Sequence, residues 1–280
     1  CAAHAQCMYE IAYSFEGPGC FGSPQPLSVA DINDHNTVVG HYLSCATVQD
    51  IPWIWSPDEG LRALDVPPGY SDANPAAINN SGVVVGWANY KVTDTLHRKH
   101  ACIWRPDASF VDLGLPLEPS GSEAVAINDE GQIAGRVHNT PARWTADGEL
   151  QLFDTLNHGF LFSRAGGIDK RGNVLGWIGD LPFGQGNTDL FVWREADYVL
   201  TPRPEGSHSI QTRSVSPRGN VAGTLYYASD DCRFPPACVE FAFGGNTHEL
   251  RDLGAYTEST ECAAWAINDA GQALGFCTPN

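Results

Sequence analysis

Four residues ahead of a recurring Ile or Val (Ile32, Ile78, Ile127, Ile168, Val215, Ile267), the chain carries Ser28, Asn74, Glu123, Arg164, Gln211 and Ala263. The surrounding stretch is otherwise small and apolar, so a polar and varied set at one recurring position is what a specific ligand site requires. Arg164 offers a planar fork of donors for a carboxylate, and Glu123 can accept from sugar hydroxyls or hold a cation. Set beside His158 or His208, Glu123 would also supply the acid and base of a hydrolase or lyase. A plainer reading competes: Glu123 and Arg164, at equivalent places on neighbouring repeats, would pair and plug the space between them. His97 and His100 have a spacing that chelates, but without a third clustered ligand no metal is expected. Neither a phosphate loop nor a nucleophile elbow is present, and no cofactor is implied.

The elements that must carry these residues repeat. The phrase Asp31-Ile32-Asn33-Asp34-His35-Asn36-Thr37-Val38-Val39-Gly40 returns at Ile78 to Gly86, Ile127 to Gly135, Ile168 to Gly176, Val215 to Gly223 and Ile267 to Gly275, at intervals of about 41 to 52 residues. Each copy reads as a β-hairpin: small or apolar residues lead in, a polar tight turn follows, and a β-branched run closes it. Gly82, Gly131, Gly172, Gly219 and Gly271, with Asn36 in the first copy, supply the residue that accepts positive φ. The Asn and Asp residues of the phrase read as turn chemistry. A second hairpin follows each phrase, its first strand ending on an aromatic as in Ile51 to Trp55, His100 to Trp104 and Leu190 to Trp193.

Four short strands per period is the count of a propeller blade. The expected architecture is therefore all-β, a single six-bladed β-propeller of four-stranded blades over residues 1–280, with repeats starting near 29, 75, 124, 165, 212 and 264. The sixth copy stops before any second hairpin, and a strand at residues 8–13 is expected to complete that blade, close the ring and hide two sheet edges.

Ala-Ile-Asn-Asx-x-Gly followed by a His-Ala-x-x-Trp strand and an Asp-Leu-Gly strand resembles the extracellular HAF-repeat family over nearly the whole chain. The nearest copy of the naming tripeptide is His100-Ala101-Cys102, where Cys replaces Phe. The resemblance implies an extracellular repeat protein and brings no catalytic residues with it.

The formal net charge of -17 excludes nucleic acid and anionic membrane as partners, since both need a basic face. No apolar stretch is long enough to span a bilayer. Nine cysteines point to an oxidising compartment, extracellular or periplasmic. Cys262 and Cys277 are symmetric about the last turn, Cys232 and Cys238 bracket a short loop, and Cys20 and Cys45 flank the first hairpin; these three pairs are the expected disulfides. Cys102 reads as a buried free thiol. Cys1 is open between a lipid-bearing cysteine, part of a leader's end, and a partner for Cys7. Variable loops emerge on one face of such a ring, and a rigid scaffold presents function there. Three functions fit: a module binding an extracellular ligand such as a glycan, a hydrolase or lyase acting on an extracellular polymer, and a structural or adhesion protein.

Overall fold

The computed structural model describes residues 19–20, 23–24, 27–114, 121–153, 162–179, 188–195, 197–201, 203–227, 239–245, 250–254 and 259–279. The described residues form strands and turns, without an α-helix. After a short pair, β1 (Gly19–Cys20) and β2 (Ser23–Pro24), four antiparallel meanders follow in chain order. The first is β3 (Ser28–Ile32), β4 (Val38–Leu43), β5 (Asp50–Ser56) and β6 (Gly60–Ala63); the second is β7 (Tyr70–Ile78), β8 (Val84–Lys91), β9 (His97–Trp104) and β10 (Phe110–Asp112). The third is β11 (Ser122–Ile127), β12 (Ile133–Val137), β13 (Thr140–Trp144) and β14 (Leu150–Leu152); the fourth is β15 (Phe162–Ile168), β16 (Val174–Gly179), β17 (Thr188–Trp193) and β18 (Tyr198–Thr201).

These sheets stack face to face, which explains their sequence pattern. Strands buried on both faces read as unbroken apolar runs rather than alternating ones, and Val174–Gly179 is buried at every position. One core layer joins Val85, Ala101 and Ile103 of the second sheet to Ala124, Ile133 and Trp144 of the third. The next joins Ala134 of the third to Ile168, Ile178 and Phe191 of the fourth. Trp53 and Trp144 are fully buried, and truncating such a ring to Ala costs about 3–5 kcal/mol.

Two backbone devices recur at fixed places in the phrase. The inner strand of each copy carries a β-bulge two residues before the repeated Ile or Val, at Ala30, Ala76, Val125, Gly166, Arg213 and Trp265. A bulge re-aims its extra residue, and all six line one axial cavity of about 790 Å³. The closing glycine answers the bulge: a Cβ at Gly40, Gly86, Gly135, Gly176 or Gly275 would strike the carbonyl oxygen of Ser28, Asn74, Glu123, Arg164 or Ala263 across the pair.

The Asn of the phrase does more than turn the chain. Asn79 Oδ1 accepts from the Ser81 and Val83 amides at 3.1 and 2.9 Å, while its Nδ2 donates to the Asn128 carbonyl of the next unit at 3.1 Å. Asn33 reaches Asn79 and Asn128 reaches Asp169 in the same way. Asp169 has no amide to offer, and there the Lys170 amide donates to the Pro217 carbonyl at 2.9 Å instead. Ser216 holds the place in the fifth unit, where Asn220 Nδ2 donates to the Asn268 carbonyl at 3.2 Å. The turns are thus joined into a belt, unit to unit.

The last part departs from six separate blades. β19 (Ser207–Val215), β20 (Val221–Tyr227), β21 (Val239–Gly245) and β22 (Leu250–Gly254) form the fifth meander, and β23 (Ser259–Ile267) with β24 (Ala273–Pro279) form the sixth hairpin. β22 pairs with β21 only from Ala242 onward, leaving the preceding edge free, and β23 meets that edge in parallel at Glu240 and Glu261. The fifth and sixth units therefore share one sheet. The first and sixth hairpins both carry exposed apolar residues: Val29 is 59% and Ile32 57% exposed on the first, Trp265 59% and Leu274 69% on the sixth. The expected closing strand, residues 8–13, lies outside the described residues.

Cys262 and Cys277 are disulfide-bonded across the last hairpin, as the turn symmetry predicts. Cys102 is a buried free thiol. Cys45 is disulfide-bonded; the Cys20 side chain, Cys232 and Cys238 lie outside what is described, as do Cys1 and Cys7.

Candidate functional site

The pairing of each inner strand with the next sets the site's layout. The residue four places before the repeated Ile or Val lies opposite the residue just after the closing glycine, giving Ser28 and His41, Asn74 and Trp87, Glu123 and Arg136, Arg164 and Trp177, Gln211 and Thr224, Ala263 and Phe276. Opposed residues on one face are within side-chain reach. Two of these partners are tryptophans and one is an arginine.

Glu123 is the centre of the resulting cluster. It is buried, and Arg136 grips it with Nε at 2.9 Å from Oε1 and Nη2 at 2.9 Å from Oε2. Arg164 reaches Oε1 from the next unit at 3.3 Å, and Lys99 approaches Oε2 from the preceding unit at 3.7 Å. Lys99 also lies over the Trp87 ring, 3.8 Å from its centroid, a cation–π contact. Burial alone pushes the Glu123 carboxyl up; the Arg136 hydrogen bond and the charges of Arg136, Lys99 and Arg164 reverse this and hold it below the ordinary value. Such a group is an ionised acceptor and not a proton donor at neutral pH.

On the far side of Arg164 a cavity of about 330 Å³ is lined by Arg164, Trp177, Gln211, Thr212 and Arg213, among others. It shares Val125, Gly166 and Arg213 with the axial cavity, so the two adjoin. Arg213 owes its place there to the bulge, and its Nε donates to Thr224 Oγ1 at 3.3 Å.

The structure thus joins three of the expected ligand residues, Glu123, Arg164 and Gln211, along one path. Asn74 is one unit away, opposite the Trp87 that carries Lys99. His158 lies outside the described residues, and His208 is described in backbone only, on the bulged part of β19. The expected ion pair between Glu123 and Arg164 is present, but the main partner of Glu123 is Arg136 on its own hairpin. Arg136, Trp87, Trp177, Thr212 and Arg213 were not anticipated; the position after each closing glycine was the available signal for Arg136 and both tryptophans. His100 does not face a ligand: it is buried, with Nδ1 2.9 Å from Asp112 Oδ2, stacked on Tyr90, while Tyr70 donates to the same carboxylate at 2.6 Å.

No family model matches the chain, and no curated protein matches it in sequence. Solved structures place it among the β-propellers. It is similar to the β-propeller domain of the Trilobed protease from Pyrococcus furiosus, described as having an open velcro topology, with a TM-score of 0.60 at 10% identity over 91% of this chain and 80% of that one. It is also similar to streptogramin B lyase, with a TM-score of 0.52 at 12% identity over 91% of this chain and 83% of the other. At these identities the likeness shows the fold, an all-β propeller, and nothing of the activity.

Proposed function

We propose that this chain is an extracellular or cell-envelope binding protein that holds an extracellular ligand, a glycan in the first instance, at the mouth built around Glu123 and Arg164. The observation that carries this is the geometry: Arg136 clamps Glu123, and Arg164, Trp177 and Gln211 line an adjoining cavity, so donors, an acceptor and an aromatic wall meet at one place. A hydrolase or lyase would have to use the ionised Glu123 as its base, with the acid supplied by another group. A purely structural role leaves unexplained why cations and tryptophans gather at one mouth of an acidic protein. The disulfide and the resemblance to HAF-repeat proteins support the extracellular setting. No helix among the described residues is long and apolar enough to cross a membrane.

A glycan array, followed by a reducing-end assay on each hit, tests the reading. Retention without cleavage is expected. Release of reducing ends that disappears in Glu123→Gln would make the protein an enzyme, and an empty array would leave the structural role.

We further propose that the six units form one ring whose last blade is completed by residues 8–13. The exposed apolar faces of the first and sixth hairpins support this, because such faces are normally covered. The alternative is a ring without that closing strand; the Pyrococcus domain is described as having an open velcro topology. Deleting residues 1–14 should lower the melting temperature of the whole chain; an unchanged melt would favour the open ring.

A further inference from the structure

The chain carries 16 Lys and Arg against 33 Asp and Glu, yet Lys99, Arg136 and Arg164 gather about a single carboxylate, Glu123, and Arg213 lines the cavity that Arg164 also lines. Arg136 already satisfies that carboxylate with two contacts. Arg164 touches it with one nitrogen at 3.3 Å, and its side chain is 48% exposed. Arg213 has no carboxylate partner among the described residues. Two guanidinium groups at one cavity are therefore left short of negative charge.

Other groups of the same cavity complete the set. Thr212 lines it, with its hydroxyl oxygen closed off from the open space. Gln211 adds an amide that both donates and accepts, and Trp177 adds an aromatic wall.

We propose that the cavity between the fourth and fifth units is an anion site for a carboxylate borne on a small hydroxylated body, the chemistry of an acidic sugar. This rests on the reading of the mouth as a ligand site and names its ligand class. Arg164 and Arg213 supply the charge-assisted donors, whose fork geometry fits a planar carboxylate. Gln211 meets hydroxyls, and Trp177 offers the apolar surface that a sugar ring covers. A volume of about 330 Å³ lies at the small end of ligand pockets, so one sugar unit fits rather than an extended chain.

Calorimetric titration of the full chain with D-galacturonate, D-galactose and sodium sulfate tests this. Galacturonate should bind, with galactose at least about ten-fold weaker. Arg164→Gln and Arg213→Gln should each weaken galacturonate about 10- to 100-fold, the loss of one charge-assisted hydrogen bond. Both side chains are exposed enough that melting temperatures should hold, and Gln211→Ala should weaken binding while the melt is kept. Equal binding of galactose would overturn the charged ligand, and sulfate binding as tightly as galacturonate would overturn the hydroxylated body. If galacturonate fails while array hits are lost in Asn74→Ala or Trp87→Ala, the inference falls and the binding function stands. If neither galacturonate nor any array ligand binds, both fall.

Discussion

Replacing Asn79 by Ala measures how much the belt of turns contributes. The change removes two accepted bonds within the turn, from Ser81 and Val83, and one donated bond to Asn128 in the next unit. At about 1 kcal/mol net for each hydrogen bond, the loss comes to about 3 kcal/mol. Unfolding entropy near 2.1 cal/mol/K per residue over 280 residues makes each kcal/mol worth about 1.7 °C, so the melt should fall by about 5 °C. Asn268 is the internal control. It makes the same two turn bonds, to Ala270 and Gln272, but its Nδ2 stays within the turn on Gln272 Oε1 and crosses to no other unit among the described residues. The Gln272 side-chain bond is exposed and water replaces it, so Asn268→Ala should cost about 1 kcal/mol less than Asn79→Ala by urea titration followed by tryptophan fluorescence. Equal losses at the two sites would mean that the cross-unit bonds contribute nothing, and the belt would be only a row of turns.

Three other outcomes follow from the site and the thiol. Arg136→Ala leaves a buried carboxylate with its weaker partners and should destabilise by about 3 kcal/mol, whereas Arg164→Ala should cost under about 1 kcal/mol because its contact is single and half exposed; thermal melts that reverse this order would refute the assignment. The Glu123 pKa is lowered in the folded state, so its ionised form contributes stability that is fully present above the ordinary value of 4.5 and is lost as pH falls through the lower folded value. The stability gap between the native chain and Glu123→Gln should accordingly be widest near neutrality and close in acid, and a gap independent of pH would contradict the clamp. Cys102 is fully buried and burial pushes its thiol up, so iodoacetamide should modify it only after denaturation, as read by mass spectrometry.

Much of the scaffold was legible because it is written six times. The turn glycines, the closing glycine and the disulfide of the last hairpin all follow from residue types at fixed offsets. The ring of residues at Glu123 and Arg164 was legible as a position but not as a site. What decides its chemistry is the partner across the strand pair, and Glu123 meets Arg136 because register sets them side by side. Lys99 comes from a different unit, laid over Trp87, and no local pattern reports that. Arg213 and Trp265 were missed for a sharper reason. Alternation along a strand has period two, and the bulge breaks the count at one residue, turning these side chains toward the axis. The repeated Asn looked complete as a turn residue, since its second role needs a carbonyl about 41 to 52 residues away.

The belt also has a direction. Where the phrase keeps its Asn, the side chain of one unit donates to the carbonyl of the next, so the row has a head, the Asn33 carbonyl, and a tail, Asn268. The hairpin of each carries exposed apolar residues. Head and tail of one chain are complementary, and so are those of two chains; the first pairing yields a closed ring and the second an open-ended filament. Tethering favours the ring, since ends held on one chain meet at effective concentrations of about millimolar. A chain that cannot bring its own ends together would be left with the filament, and its degree of association would then rise with protein concentration.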